Sequence, residues 1–292
     1  MLQRSPTYIV SLPNRGSSTG SSWLSYLIPN SWHHKLKRLF WITRSRLFLF
    51  YCRRYPSAAE RLIAKGVMKQ LPATIPLDPH FVPRYKPWDQ RLCLCPDGDI
   101  FKALNSGKAS VETSVIQEVV SDGIRLNSAT KLDCDIIVTA TGLKLQFGGR
   151  VEFEVDGKPL EAPEKLLLNG VMLQDVPNAA FIMGYTDTSW TLGADAAAHF
   201  VCKLLKYLDR HNFTSAVPRV PPSTALVKTS VLSLSSTHVR LGAKSLPQTA
   251  AQVPWTGRRT YFQDMTWVKF GRLDQGLEFV RAPDGSEQHK LA

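Results

Sequence analysis

The sequence predicts an α/β fold, and three segments carry that prediction. Residues 136–140 form a continuous run of Ile, Ile, Val, Thr and Ala, which is typical of a strand at the buried centre of a parallel sheet. Residues 194–210 repeat apolar side chains with the spacing of one helix face. Residues 110–126 alternate as strands around Asp122-Gly123, which is a strong hairpin turn.

The amino-terminal part is predicted to alternate loops and helices. Residues 2–6 resemble the end of a strand that runs into a loop, and residues 11–22 are rich in loop-forming Ser, Gly, Asn and Pro. Two helices are expected within residues 23–69, because an apolar stripe runs between basic side chains and Pro56 interrupts it. Ser57 is expected to cap the second helix through an S-x-x-E capping box.

The rest of the chain is predicted to supply shorter elements. Five prolines between residues 71 and 87 require an extended loop. The further elements expected are a strand at 92–95, a helix at 100–105, a hairpin at 151–155 that turns at Asp156-Gly157, and a strand at 181–184. The tail from 223 to 292 is rich in Ser, Thr and Pro, and it is expected to pack over the rest as an irregular extension.

The residue balance is that of a globular protein with a basic excess. The chain is 43% hydrophobic and 21% charged, and its formal net charge is +12. Residues 33–69 contain six Arg, four Lys and a single acid. A solvated helix face is the simplest interpretation, while contact with an anionic membrane surface or a phosphorylated cofactor stays open. Nucleic-acid binding is not expected, because no zinc-finger, homeodomain or RNA-recognition signature accompanies the charge.

Cysteine, histidine and hydropathy patterns argue against a disulfide-stabilised, metal-binding or membrane-spanning protein. Five cysteines without a close CxxC pair indicate buried free thiols in a reducing compartment rather than a disulfide framework. Seven histidines without HxxxH or HExxH spacing indicate no metal site. The start lacks a signal-peptide pattern, and the longest apolar run falls far short of the roughly 18–20 residues that span a bilayer. We therefore expect a cytoplasmic protein.

A first candidate motif is Asp135-Ile-Ile-Val-Thr-Ala-Thr141-Gly142. A predicted strand that ends in small residues lets the backbone approach a ligand or a crossing segment closely. A core strand followed by a tight turn explains the same string equally well.

A second candidate motif is the loop from Phe81 to Arg91, which is rich in Pro and aromatic residues. Arg91 could hold an anionic intermediate or a phosphate through its fixed fork of donors. Pairing of Arg91 with a local acid such as Asp89 is the simpler alternative.

The third candidate motif, Gly184–Gly193, leads into the predicted helix at 194–210. A hydroxyl-rich loop before a helix offers backbone N–H groups to an electronegative ring edge or a carbonyl. The alternative is an ordinary N-cap at Thr188, Ser189 or Thr191.

Together and in this order, the motifs resemble class B flavoprotein monooxygenases of the Baeyer–Villiger type, in particular those related to the bacterial ethionamide-activating monooxygenases. The resemblance runs through residues 1–8, 83–92, 96–101, 135–142 and 177–205, and so covers nearly the whole chain. It implies a two-dinucleotide-binding, Rossmann-like flavoprotein fold. It also implies an enzyme of secondary metabolism that uses FAD and NADPH to oxidise a ketone to an ester or lactone, or to oxidise a heteroatom.

The resemblance assigns roles to particular residues. Arg4 and Ser5 match the pair that contacts the 2′-phosphate of NADPH. Arg91 matches the mobile arginine that stabilises the negative peroxyflavin and the bound nicotinamide. Thr141 and Gly142 lie where the family's chain returns from the nicotinamide domain to the flavin domain. The loop expected near the flavin ring and the substrate contributes Tyr185, Thr188, Ser189 and Trp190.

The family's G-x-G-x-x-G fingerprints do not occur in this sequence, so the chain resembles an N-terminally truncated member with an incomplete fold. The expected domains are a partial NADPH-binding domain over 1–135 with a helical insertion at about 23–69, the carboxyl-terminal part of an FAD domain over 136–222, and the extension over 223–292. One hypothesis is a working monooxygenase whose upstream segment comes from a corrected gene start or a partner chain. The other is a catalytically inactive remnant that serves at most as a binding subunit.

Overall fold

The computed structural model describes residues 1–13, 29–222 and 224–281, and it divides the chain into two compact units. Unit 1 spans Met1–Thr141, and unit 2 spans Gly142–Ala292. Within the described ranges, every helix is too short or too polar to cross a membrane.

Parallel strand pairs form the frame of unit 1. Strand β1 (Leu2–Gln3) pairs with β4 (Glu112–Thr113), and β2 (Ile9–Leu12) pairs with β3 (Cys93–Pro96). The strand predicted at 92–95 is thus confirmed with a shift of one residue. Parallel neighbours need a long crossover between them, and the helices that follow β2 supply it.

The helices of this crossover are α1 (Asn30–Arg54) and α2 (Pro56–Met68), and α3 (Asp99–Asn105) follows β3. The break at Pro56 is confirmed, but the capping box at Ser57 is wrong. Tyr55 is the N-cap, and it makes no side-chain cap bond. Pro56 begins the helix because its fixed φ suits the first turn, where no intrahelical N–H bond is needed. The predicted loop at 11–22 lies mostly outside the described residues.

The hairpin predicted around Asp122-Gly123 is confirmed, but its turn lies one residue earlier, at Ser121-Asp122, and Gly123 is already the first residue of the second strand. Strands β5 (Ile116–Val120), β6 (Gly123–Leu126) and β7 (Lys131–Asp133) form an antiparallel sheet in which Val120 pairs with Gly123. The core of unit 1 collects apolar side chains from the helices, the proline-rich loop and the segment before β4: Val67, Phe81, Phe101, Leu104 and Val111.

The buried strand predicted at 136–140 is wrong. These residues follow β7 as irregular, exposed backbone, and Ile136 and Val138 are 81% and 84% exposed. A strand needs a neighbour for its amide and carbonyl groups, and no strand of the described residues pairs with this run. An apolar β-branched composition is therefore not sufficient to form the strand.

Helix α4 (Trp190–His211) is the centre of unit 2. It confirms the helix predicted at 194–210 and begins four residues earlier. Its buried face packs against the antiparallel pair β12 (Phe213–Pro218) and β15 (Leu277–Arg281) and against α6 (Tyr261–Phe270). The residues of α4 in this core are Ala197, Phe200 and Leu204.

Shorter elements complete unit 2. The predicted hairpin is confirmed as β8 (Glu154–Val155) and β9 (Lys158–Pro159), which are antiparallel. The other elements are the pair β10 (Leu167–Leu168) and β11 (Met172–Leu173), the pair β13 (Lys228–Ser230) and β14 (Gln248–Ala250), and α5 (Thr237–Gly242).

Two further predictions about unit 2 had different outcomes. The strand predicted at 181–184 is wrong, because only the Phe181 amide makes a strand-like bond, to the Val171 carbonyl at 2.7 Å. The tail does pack against the earlier part of unit 2, since Trp255, Val268 and Leu277 belong to the core around α4, but the prediction that it is irregular is wrong, because it contains β13, α5, β14, α6 and β15.

The cysteines are free, as expected, but they are mostly not buried. Cys52 is buried, whereas Cys93 and Cys202 are exposed. The expectation of buried thiols is therefore confirmed for Cys52 and wrong for Cys93 and Cys202.

Candidate functional site

The predicted phosphate-contacting pair lies directly after a parallel strand. Strand β1 ends at Gln3, and Arg4 and Ser5 follow in an exposed bend. The Gln3 side-chain amide holds this strand end in place by donating to the His80 carbonyl at 2.7 Å and to Thr113 Oγ1 at 2.9 Å. Ligands of α/β folds bind beyond the carboxyl ends of parallel strands, so this position suits a phosphate.

Arg91 lies on an anchored loop and is exposed to solvent, just before β3. The Tyr8 hydroxyl donates to the Tyr85 carbonyl at 2.7 Å, and the Tyr85 hydroxyl shares a hydrogen bond with Thr7 at 2.9 Å. Burial, with nearby negative groups, raises the pKa of Tyr8 to about 12, so it stays a neutral donor. Asp89, the acid considered as a partner for Arg91, accepts a hydrogen bond from the Lys86 backbone amide at 3.3 Å.

A cleft of about 500 Å³ opens beside this loop in unit 1. Its volume is within the range of small-molecule sites. Charged side chains of both signs line it, among them Glu60, Arg61, Arg84, Lys86 and Asp89. Arg4, Ser5 and Arg91 do not line it, so the cleft does not bring the predicted site residues of unit 1 together.

Thr141 and Gly142 lie in exposed irregular backbone after residues 136–140. Gly142 has φ of +106°, a conformation that side-chain-bearing residues rarely adopt. A Cβ added there would meet nothing within 4 Å, so backbone conformation rather than space requires the glycine.

The hydroxyl-rich loop of unit 2 is locked against the start of α4. A Cβ on Gly184 would overlap the Trp190 ring, so this ring covers the glycine. A Cβ on Gly193 would lie 2.6 Å from Gly184 Cα and 2.7 Å from the Met183 carbonyl oxygen. The loop and the first turn of the helix thus approach so closely that only glycine fits at both positions.

The prediction of an N-cap is confirmed for the position of the residue but not for the capping hydrogen bond. Ser189 is the N-cap residue of α4, but it makes no side-chain cap bond. Its hydroxyl shares a hydrogen bond with the Thr191 hydroxyl at 2.8 Å instead. Thr188 is half-buried, and Ser189 and Trp190 are exposed. This end of the loop therefore presents hydroxyl groups and an aromatic ring to solvent.

Tyr185 has a different environment, because it is buried and its hydroxyl is bonded within unit 2. The hydroxyl donates to Asp264 Oδ2 at 2.8 Å. Burial, followed by the adjacent Asp264 charge, raises the pKa of Tyr185 far above its usual value. Tyr185 is therefore a neutral hydrogen-bond donor that positions the loop.

Asp264 also binds two arginines that sequence reasoning missed. Arg259 Nε donates to Asp264 Oδ1 at 3.3 Å, and the Arg258 guanidinium lies 3.8 Å from Oδ2. Burial lowers the pKa of Arg258, while the charge of Asp264 opposes that shift. The Arg-Arg dipeptide was the available signal, but nothing in the sequence links it to Tyr185, which is more than seventy residues away.

The comparisons with known proteins agree with the motifs. No family model matches the chain. It is 38% identical to the probable FAD-binding monooxygenase AlmA of Acinetobacter baylyi over 99% of its own length. It is 36% identical to the FAD-containing monooxygenase EthA of Mycobacterium tuberculosis over 97% of its length. The chain is thus similar to FAD-containing monooxygenases over nearly its whole length. It spans 57% of AlmA and 58% of EthA, so it corresponds to part of these relatives.

Solved structures of monooxygenases share the fold. An oxidised steroid monooxygenase bound to NADP matches with a TM-score of 0.58 at 15% identity, over 96% of this chain and 62% of the other. OTEMO in complex with FAD and NADP matches with a TM-score of 0.54 at 12% identity, over the same shares of the two chains. The predicted α/β flavoprotein fold, present in part, is therefore confirmed.

Proposed function

We propose that the chain is part of an NADPH- and FAD-dependent monooxygenase of the Baeyer–Villiger type, which oxidises a ketone to an ester or lactone or oxidises a heteroatom in secondary metabolism. The observation that carries the proposal is 38% identity to an FAD-binding monooxygenase over 99% of the chain. The part of the enzyme that holds the FAD phosphates is proposed to come from a segment or a partner chain outside these 292 residues.

The described residues do not by themselves fit FAD. The phosphates of a dinucleotide need the backbone amides of a Gly-rich turn at a helix start, and the sequence contains no G-x-G-x-x-G. Thr141 and Gly142, which match the family's flavin-domain return, lie in exposed irregular backbone. The flavin chemistry therefore depends on residues that this sequence does not contain.

NADPH fits better, because the structure has an exposed guanidinium and a hydroxyl side by side after a parallel strand. We propose that Arg4 and Ser5 donate hydrogen bonds to the 2′-phosphate, which distinguishes NADPH from NADH. NADPH supplies a hydride when bound, and the role of these two residues is to hold the nucleotide.

Replacing Arg4 by alanine tests the NADPH site on the chain itself. Losing a charge-assisted hydrogen bond is expected to weaken NADP⁺ binding at least about tenfold. Binding of NAD⁺, which lacks the phosphate, is expected to stay unchanged. Isothermal titration of both nucleotides measures the two affinities, and Lys108→Ala is the control at another exposed cation. Equal losses for both nucleotides would contradict the assignment. A wild-type chain that binds neither nucleotide would favour the inactive-remnant hypothesis.

We further propose that Arg91 stabilises negative charge during the reaction, because it is an exposed guanidinium on an anchored loop. In a preparation that carries FAD, Arg91→Ala is expected to lower the rate of ester formation by roughly a hundredfold, the effect of removing one electrostatic donor. The flavin absorbance should persist. The exposed Arg240→Ala serves as the control, and unchanged ester formation in Arg91→Ala would refute the role.

A membrane-surface contact is a second proposal, and helix α1 carries it. The helix contains seven Lys and Arg and no acid. Phe40 and Phe50 are 61% and 66% exposed, and Arg44 lies over the Trp41 ring at 5.0 Å. Cationic and aromatic groups on one exposed helix suit the headgroup region of anionic lipids.

Co-sedimentation with vesicles tests this contact. The chain is expected to sediment with vesicles that contain phosphatidylserine, and not with phosphatidylcholine vesicles. High salt should release it, because salt screens exposed charges. The double variant Lys35→Glu/Arg44→Glu is expected to weaken binding at least about tenfold, since each cation near the surface contributes about 1 kcal/mol. The variant Lys108→Glu/Lys158→Glu makes the same charge change elsewhere, and equal losses in the two variants would argue against α1.

A further inference from the structure

Unit 2 contains a cavity that none of the preceding roles uses. Its volume is about 190 Å³. Three segments form most of its lining: residues 183–186, strand β13 with the residues that follow it, and the segment 256–259. Gly170 and Thr249 complete the lining. The side chains used in the argument below are Thr186, Val231, Leu232, Thr256, Arg258 and Arg259.

The charge around this cavity is positive. Among the described residues, Arg258 and Arg259 line it, and no acid does. Within the same described ranges, the carboxylate of Asp264 pairs with both arginines, and Asp264 does not itself line the cavity. Two guanidinium groups and one carboxylate leave one net positive charge.

Two polar atoms at the cavity have no hydrogen-bond partner among the described residues. They are Thr256 Oγ1 and Arg258 Nη2, and both are shielded from bulk solvent. The Arg258 side chain is only 9% exposed. A buried polar group without a partner costs about 1–3 kcal/mol, so a ligand that bonds to these atoms is favoured.

A smaller neighbouring cavity has the size of one buried water, and its lining differs from that of the larger cavity. Asn169, Arg258 and Asp264 line a space of about 10 Å³, which is the size of one water. A single water in that space would satisfy the side-chain amide of Asn169, which has no hydrogen-bond partner among the described residues. Thr256 does not line that space, so the case for a larger ligand depends on Thr256, Arg259 and the net charge.

We propose that the larger cavity binds the carboxylate group of a small organic acid. A monoanion balances one net positive charge, whereas a phosphate dianion exceeds it. The guanidinium fork of Arg259 matches a carboxylate, and the Thr256 hydroxyl donates to the same group. Val231 and Leu232 offer apolar contact to a short carbon chain. The volume of the cavity is below the roughly 300–1,000 Å³ of drug-sized sites, which restricts the ligand to a small acid.

The role of this acid follows from the position of the cavity. The loop that begins at Gly184 borders it, and the same loop is expected to lie near the substrate. The bound acid is therefore the substrate to be oxidised, a ketone that also carries a carboxylate. This role depends on the proposed function, whereas the binding of a carboxylate does not.

Isothermal titration of the flavin-free full chain tests the site. The probes are 4-oxopentanoate, pentanoate, the neutral 2-hexanone and inorganic phosphate. Both acids are expected to bind, and 2-hexanone is expected to bind at least about tenfold more weakly, in proportion to the lost charge pairing. Equal binding of 2-hexanone, no binding of either acid, or tighter binding of phosphate would overturn the proposal. Because the titration contains neither FAD nor NADPH, it tests carboxylate binding independently of whether the chain is part of a monooxygenase.

Two variants connect the binding to the named residues. Thr256→Val should weaken binding of 4-oxopentanoate about fivefold or more without lowering the melting temperature, because the hydroxyl has no partner to lose within the described part of the chain. Arg259→Gln should weaken it at least about tenfold, while Arg272→Gln, an exposed arginine of the same unit, should leave it unchanged. Unchanged affinity in Thr256→Val, or equal losses in the two arginine variants, would refute the site.

Discussion

Replacing Asp264 by asparagine is expected to lower the free energy of unfolding by about 3 kcal/mol, as when one partner of a buried ion pair is removed. The Asp264 side chain is 9% exposed, and it binds Tyr185, Arg258 and Arg259. The neutral amide leaves the Arg258 charge buried without a counter-charge. The expected loss is at the lower end of the usual range, because Arg259 is 28% exposed and keeps part of its hydration.

Urea unfolding of unit 2, followed by tryptophan fluorescence, measures this loss. The matched control is Asp274→Asn, which removes the partner of Arg272 in an exposed pair of the same unit. Exposed pairs contribute little, so the midpoint of the control should not shift measurably. Equal shifts in the two variants would show that Asp264 is not a buried counter-charge. The Asn variant should also release the loop at 184–189, because Tyr185 loses the charged acceptor of its hydroxyl.

Replacing Gly193 by alanine is expected to destabilise the protein by roughly 2–3 kcal/mol, which is the cost of forcing atoms into a tightly packed site. Gly193 is in α4, where alanine is otherwise favoured over glycine by up to about 1 kcal/mol. The added Cβ would lie 2.6 Å from Gly184 Cα and 2.7 Å from the Met183 carbonyl oxygen. Both neighbours are backbone atoms, so a side-chain rotation cannot relieve the contact.

The matched control for this substitution is Gly66→Ala in α2. A Cβ at Gly66 meets nothing within 4 Å, so only helix propensity acts there. We expect stabilisation by roughly 0.5–1 kcal/mol, the opposite sign to Gly193→Ala. Thermal unfolding of the two variants beside the wild type shows both signs in one experiment. Stabilisation by Gly193→Ala would mean that the loop does not pack against α4.

The elements that sequence reasoning placed correctly depend on local physics. The break at Pro56, the hairpin near Asp122 and the helix at 194–210 each follow from a few neighbouring residues. Proline fixes φ, Ser and Asp favour tight turns, and a periodic apolar face needs only one surface to cover it. The family motifs are also local strings, and the comparisons agree with them.

The elements placed incorrectly depend on partners that are distant in the sequence. Residues 136–140 and 181–184 have strand composition, yet neither forms a strand, because a strand exists only when a neighbour accepts and donates its backbone bonds. The same limit applies to the acid-binding cavity. Asp264, Arg258 and Thr256 gain their character from burial and from their neighbours, and no pattern in the sequence predicts that these polar side chains are buried.

The sequence by itself therefore determined the α/β class, the main helices and turns, and the similarity to FAD-containing monooxygenases, because each of these depends on short stretches of sequence. Only the tertiary structure decided that the apolar run at 136–140 is exposed and that Tyr185 is bound to Asp264. The physical reason is the same in both cases. Burial and backbone pairing are properties of contacts between distant segments, and the free energy of a charge or an amide depends on which segments those are.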